Sequence, residues 1–151
     1  MEALKVAIAD DNENMLKVLG QVIGQEQDLS VVGTATNGED TFHIIKEKEP
    51  DVVLLDIIMP QIDGLTVMEK VHKDKEIRKT PAFIIISAIG RDSVTEDAFN
   101  MGASYYIMKP FDNDMLINRI RYIRNVHAEN TKAGAAPALE HTVVSDRNLE
   151  S

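Results

Sequence analysis

Dense apolar runs alternate along the chain with segments whose apolar residues recur at helical spacing. That alternation predicts a βα repeat and a parallel sheet. Leu4–Ala9 reads as a first strand. The following segment, Glu13–Gln25, places Met15, Leu16, Leu19, Val22 and Ile23 on one helical face. Leu29–Thr36 reads as a second strand, and Asn37-Gly38 turns the chain into a helix that Pro50 stops near Glu49. Val52–Asp56 is apolar on both faces, as a buried central strand requires. A loop holding Pro60 and Gly64 leads to a helix over Leu65–Lys73. Ala82–Ser87 is a fourth strand, Asp92–Met101 a helix with Gly102 as its stop, and Tyr105–Met108 a fifth strand. Asp112 or Asn113 caps a last helix that ends near Asn125.

Five strands and five helices in strict alternation predict an α/β fold: a doubly wound five-stranded parallel sheet of flavodoxin-like strand order 2-1-3-4-5. The predicted domain spans residues 1–126. Residues 127–151, with Thr131-Lys132-Ala133-Gly134-Ala135-Ala136-Pro137 and no apolar periodicity, read as a linker or disordered tail.

Composition narrows the function classes. The 151 residues are 44% hydrophobic and 27% charged, enough for one domain with a core. The formal net charge of -9 opposes binding to nucleic-acid phosphates. With no cysteine, disulfides and thiolate metal sites are excluded, which fits a reducing compartment. No signal peptide or membrane-spanning run is expected, so the expected location is cytoplasmic.

The chemistry lies at the strand ends. In open α/β sheets, ligands sit beyond the carboxyl ends of the strands, where the strand order reverses. The first strand ends in Asp10-Asp11, the third in Asp56, the fourth in Ser87, and the fifth just before Lys109. Three converging carboxylates repel one another unless a cation neutralises them. A hard divalent ion with oxygen ligands does so, Mg²⁺ above all, with Mn²⁺ or Ca²⁺ as alternatives. Asp56 is the best nucleophile, since a carboxylate can form an aspartyl phosphate. Lys109 suits a phosphoryl oxygen as a point charge, and Ser87 suits another as a hydrogen-bond donor.

Each part alone has a plainer explanation. Asp10-Asp11 before a helix could be only a cap. Serine commonly ends strands, Lys109-Pro110 could be a surface loop, and Tyr106 within a strand is more often core than switch. Asp56 has no obvious capping duty. Four of five strand ends carrying complementary groups is what favours a functional site.

The set resembles the receiver domains of bacterial two-component response regulators. The matching stretches are Ala9-Asp10-Asp11-Asn12, Asp56-Ile57-Ile58-Met59-Pro60 with Asp63-Gly64, Ser87-Ala88, and Gly102 to Phe111. The resemblance covers residues 4 to about 125. It implies Asp56 as phosphoacceptor, Asp10 and Asp11 as the acidic metal pair with Asp56, and the Ile58 carbonyl as a further metal ligand. It also implies Lys109 as the phosphate-binding lysine followed by a cis-proline, Pro110, and Ser87 and Tyr106 as the switch pair. In that switch, Ser87 moves toward the phosphoryl group and Tyr106 fills the space it leaves. Implied partners are a histidine kinase or histidine phosphotransfer protein, a phosphatase, and a second copy on phosphorylation. DNA would be reached only through an output domain beyond residue 151, and no membrane is involved. Within the family, Ala9–Asn12, Thr36–Glu39, Asp56–Pro60 and Ala103–Asp112 together resemble the stage zero sporulation regulators of Firmicutes, in which a DNA-binding domain follows the receiver.

Three other classes fit the residues less well. Haloacid-dehalogenase-type phosphatases share a strand-end aspartyl nucleophile but carry a second aspartate two residues on, where this chain has Ile58. A flavin site needs a phosphate-cradling loop after the first strand, where Asp10 and Asp11 would repel phosphate. A pure interaction module with a degenerate site is disfavoured by the intact Asp56 and Lys109.

Overall fold

The computed structural model describes residues 3–59, 63–88, 92–133 and 142–144; at 92, 124–133 and 142–144 it describes the backbone alone. Eleven elements follow one another: β1 (Leu4–Ala9), α1 (Glu13–Gly24), β2 (Leu29–Ala35), α2 (Gly38–Lys48), β3 (Val52–Leu55), α3 (Gly64–Lys73), β4 (Ala82–Ser87), α4 (Asp92–Asn100), β5 (Ala103–Met108), α5 (Asn113–Ala133) and β6 (Thr142–Val144). The sheet runs β2-β1-β3-β4-β5-β6, and every neighbouring pair is parallel. The five expected strands stand in the expected order, 2-1-3-4-5.

Alternation of side chains along each strand splits the core into two layers. Val6, Ile8, Leu54, Ile84 and Ile107 pack with Leu19 and Ile23 of α1 and Leu116 and Ile120 of α5. Ala7, Val53, Leu55, Ile85 and Tyr106 pack with Ile45 of α2, Val67 and Met68 of α3 and Ala98 of α4. All four residues of β3 are buried, which explains its unbroken apolar run. Each such aliphatic side chain contributes about 1.5–3 kcal/mol on burial.

The helices start where short polar side chains satisfy free amides. The Asn12 side chain accepts from the Asn14 and Met15 amides, Asn37 from Asp40, Asp63 from Thr66, and Asp112 from Met115. Glu49 closes α2 in a left-handed conformation with φ 49, directly before Pro50. Gly102, with φ 104, ends the α4 segment as its lack of a side chain allows.

At the C-terminal end the last helix runs past its predicted end near Asn125. Helix α5 continues to Ala133, and β6 adds a sixth strand beside β5 in the register Tyr105↔Thr142, Tyr106↔Val143 and Ile107↔Val144. The physical reason is the edge of β5, whose backbone groups need partners that a short extended segment supplies. The route is unusual. The steps β3 to β4 and β4 to β5 cross on the face holding α3 and α4, whereas α5 lies on the opposite face. The step from β5 to β6 goes the same way across the sheet, so its hand is opposite to those two, against a strong general preference. No described helix is long and apolar enough to cross a membrane.

Candidate functional site

Ladder hydrogen bonds carry the strand register one residue past the strand ends and fix the polar groups there. The Asp10 amide donates to the Ala35 carbonyl (3.0 Å), the Asp56 amide to the Ala9 carbonyl (2.9 Å), and the Lys109 amide to the Ser87 carbonyl (2.9 Å). Because Ala9 pairs with Leu55, Asp10 and Asp56 emerge side by side where the strand order reverses. Gly64, at the start of α3, donates its amide to the Ile57 carbonyl (2.8 Å) and holds the loop after Asp56 close.

The two buried carboxylates are held in the same way. Asp10 Oδ1 accepts from the Asn12 amide (2.9 Å), and Asp56 Oδ1 accepts from the Ile58 amide (3.0 Å). Lys109 Nζ then donates to both remaining oxygens, 2.8 Å to Asp10 Oδ2 and 3.1 Å to Asp56 Oδ2. Burial, partly offset by the Ile58 amide and Lys109, pushes the Asp56 carboxyl above its usual range. Burial also works against the Lys109 charge, but the Asp10 hydrogen bond and the Asp56 charge outweigh it and raise its pKa. Lys109 is therefore a fixed cation at any physiological pH.

One ammonium does not balance three carboxylates. Asp10, Asp11 and Asp56 each offer an oxygen, and these lie within 4.8 Å of one another, with Asp11 exposed to solvent. An all-oxygen donor set with surplus negative charge suits a hard divalent cation that keeps part of its water shell. The residues present therefore fit Mg²⁺. Ile58 is 53% exposed and reaches the site through its backbone. The Lys109–Pro110 peptide is cis. Pro60 lies outside the described residues.

Ser87 is fully buried at the end of β4. Its hydroxyl is hydrogen-bonded to that of Tyr106, which also bonds the Thr95 side chain on α4. Tyr106 is itself 0% exposed. The Tyr106 ring lies within the core layer of α3 and α4. Burying an aromatic ring there is favourable once its hydroxyl has partners, and Ser87 and Thr95 provide them. Burial raises the Tyr106 pKa, and the Asp56 charge adds to this against those two hydrogen bonds. Thr95 escaped the sequence reading. Its signal was its phase: Thr95 and Ala98 share the inward face of α4, so a hydroxyl stands where a core residue belongs.

Beside Lys109, Met15, Val18, Pro110 and Phe111 line an apolar hollow of about 340 Å³.

Comparison with known proteins identifies the arrangement. Residues 6–121 match the family model described as response regulator receiver domain. The response regulator domain of Thermotoga maritima CheB is 27% identical, with TM-score 0.74, covering 83% of this chain and 98% of that one. A chain from the CheX–CheY–BeF3–Mg²⁺ complex of Borrelia burgdorferi is 30% identical, with TM-score 0.73 and coverages of 82% and 90%. A DNA-binding response regulator of the LuxR family from Staphylococcus aureus is 28% identical, with TM-score 0.74 and coverages of 81% and 99%. Receiver domains bind Mg²⁺ at an acidic pocket and serve two-component systems as regulatory phosphoacceptors, not as a catalytic enzyme family. With its fold, its strand-end acids and more than half its length matched, the chain belongs to the response regulator receiver domain family.

Proposed function

We propose that this chain is the phosphoacceptor switch of a phosphorelay and that Asp56 receives the phosphoryl group. The observation that carries this reading is the placement of Asp56 between Lys109 and the acids Asp10 and Asp11 at the carboxyl edge of the sheet. An Asp56 carboxylate oxygen attacks the phosphorus of a phosphohistidine. The new O–P bond forms as the P–N bond breaks, and the imidazole leaves. Lys109, already turned toward Asp56, pairs with a phosphoryl oxygen. Ser87 donates its hydroxyl to another.

Asp10, Asp11, Asp56 and the Ile58 carbonyl would hold Mg²⁺, which supplies positive charge for the phosphoryl oxygens when bound. The phosphohistidine belongs to a histidine kinase or histidine phosphotransfer protein, and the apolar hollow beside Lys109 offers that partner a contact surface. A phosphatase reverses the modification.

The finer assignment rests on the sequence resemblance: a sporulation regulator working in the cytoplasm. Residues 1–126 form the receiver, and residues 127–151 lead toward a DNA-binding output domain. Phosphorylation favours a homodimer. The net charge of -9 is consistent with DNA contact residing in another domain.

Intact mass after incubation with acetyl phosphate and Mg²⁺ tests the central claim. Wild type gains one phosphoryl group and Asp56→Ala gains none. Equal labelling of the two, or labelling of wild type with the metal chelated away, refutes it.

A further inference from the structure

Three buried hydroxyls from three separate elements meet beside the site. Ser87 ends β4, Tyr106 lies on β5, and Thr95 lies on α4; Ser87 and Tyr106 are fully buried and Thr95 is 9% exposed. The Tyr106 hydroxyl is bonded to both of the others. Each hydroxyl has one hydrogen to donate and two lone pairs to accept with. Such a chain has no direction of its own; the groups at its ends set it. Its hydrogens can point toward Ser87 or toward Thr95.

We propose that Thr95 is a positioning residue of the switch, the terminal donor of a hydroxyl chain that a phosphoryl group on Asp56 aligns. The inference rests on Asp56 being the acceptor. A phosphoryl oxygen only accepts hydrogen bonds, so it takes the Ser87 hydrogen. Ser87 then accepts from Tyr106, and Tyr106 accepts from Thr95. No covalent bond changes, and each hydrogen stays on its own oxygen. A threonine within a helix often donates to the carbonyl one turn earlier. Alignment commits that hydrogen to Tyr106, so the existing bond between α4 and β5 takes one direction and Thr95 gives up any other acceptor. The helix thereby senses the site although none of its described side chains reaches Asp56. Tyr106 need not change place for this, which agrees with its complete burial.

The test is NMR of the full chain with Mg²⁺, with and without beryllofluoride, for wild type, Thr95→Val and Thr95→Ser. Amide shifts are followed, together with the ¹³Cζ resonance of Tyr106. Valine keeps the shape of threonine without its hydroxyl; serine keeps the hydroxyl. In wild type and Thr95→Ser, beryllofluoride should shift Ile58 and Lys109, the Tyr106 ¹³Cζ, and the amides of α4. In Thr95→Val the Ile58 and Lys109 shifts should persist, while the Tyr106 and α4 responses are lost. Full α4 shifts in Thr95→Val overturn the proposal, because a hydroxyl-free helix would then receive the signal. Loss of the pocket shifts as well in Thr95→Val overturns it too, since Thr95 would then help build the pocket. No response anywhere in wild type sinks the Asp56 reading and this inference with it.

Discussion

A Cβ atom at Gly64 would stand 2.5 Å from the Asp56 carbonyl oxygen and 2.9 Å from the Ile57 Cα. Both are backbone atoms, so neither can swing aside. The backbone carrying the acceptor aspartate is therefore pressed against the first turn of α3 with no room for a side chain. Gly64→Ala should destabilise the domain by about 1–3 kcal/mol, as overpacking does, and should slow labelling of Asp56 by acetyl phosphate. Urea unfolding and intact-mass kinetics read the two effects. An unchanged midpoint and labelling rate would show that the loop gives way freely.

Metal and protonation should act on the same carboxylate. Asp56 is buried, and that burial raises its pKa above the ordinary carboxylate value. The folded state therefore holds its proton more tightly than the unfolded state does. Stability from this group falls as pH rises from the unfolded pKa through the folded one, and the loss is complete above both. Asp56→Asn should stabilise the metal-free protein at neutral pH, with the advantage fading as pH falls through the raised folded pKa and gone below about 4. Mg²⁺ binds only the folded state and should raise the wild-type melting temperature. The gain is about 2.7 kcal/mol at a hundredfold excess over Kd, and it should shrink in Asp56→Asn. Melts of wild type that ignore millimolar Mg²⁺ would count decisively against the site.

Lys109 and a divalent cation compete for the same oxygens. Lys109→Met removes the partner of both Asp10 and Asp56 and should cost the metal-free protein about 1–3 kcal/mol, less than for a fully buried pair because Lys109 is partly exposed. The same change should tighten Mg²⁺ binding, since the metal no longer displaces an ammonium. Isothermal titration of both proteins checks this. A weaker Mg²⁺ affinity in Lys109→Met would mean that Lys109 helps shape the metal site.

In the core, Ile120 of α5 is fully buried against the layer built on β4 and β5. Ile120→Ala should cost about 2–5 kcal/mol by transfer and cavity terms together. Exposed Val18 on α1, which borders the hollow at Lys109, should cost little when changed to Ala, yet it should slow transfer from a protein phosphodonor. Acetyl phosphate labelling serves as the control. If both donors slow equally, Val18 is not a contact for the donor protein.

Sequence patterns made some of this structure plain and left the rest hidden. The runs Leu4–Ala9 and Ala82–Ser87 matched their strands end to end, because apolar density stops where the sheet stops. Asp10, Asp56, Ser87 and Lys109 share one edge because a parallel sheet brings strand ends together whatever its detailed packing. The burial of Tyr106 follows from its place within a strand, whereas its hydroxyl partners come from other elements. Thr95 was passed over for the same reason: on an inward helical face, a threonine and a small apolar residue look alike. β6 carries too few residues to show a period, and its partner lies more than thirty residues earlier in the chain.

Tyr106 belongs to two systems at once. Its side chain joins Ser87 and Thr95, while its backbone stands opposite Val143 in the pairing of β5 with β6. Among the described residues, β6 meets that edge through the three-residue register of Thr142–Val144 with Tyr105–Ile107. Coupling free energies are reciprocal. Whatever shift phosphorylation imposes on that strand's grip, the grip imposes equally on the phosphorylation equilibrium. Release of the tail by a passing partner would then be felt at Asp56, and the edge of the sheet becomes an input as well as an output.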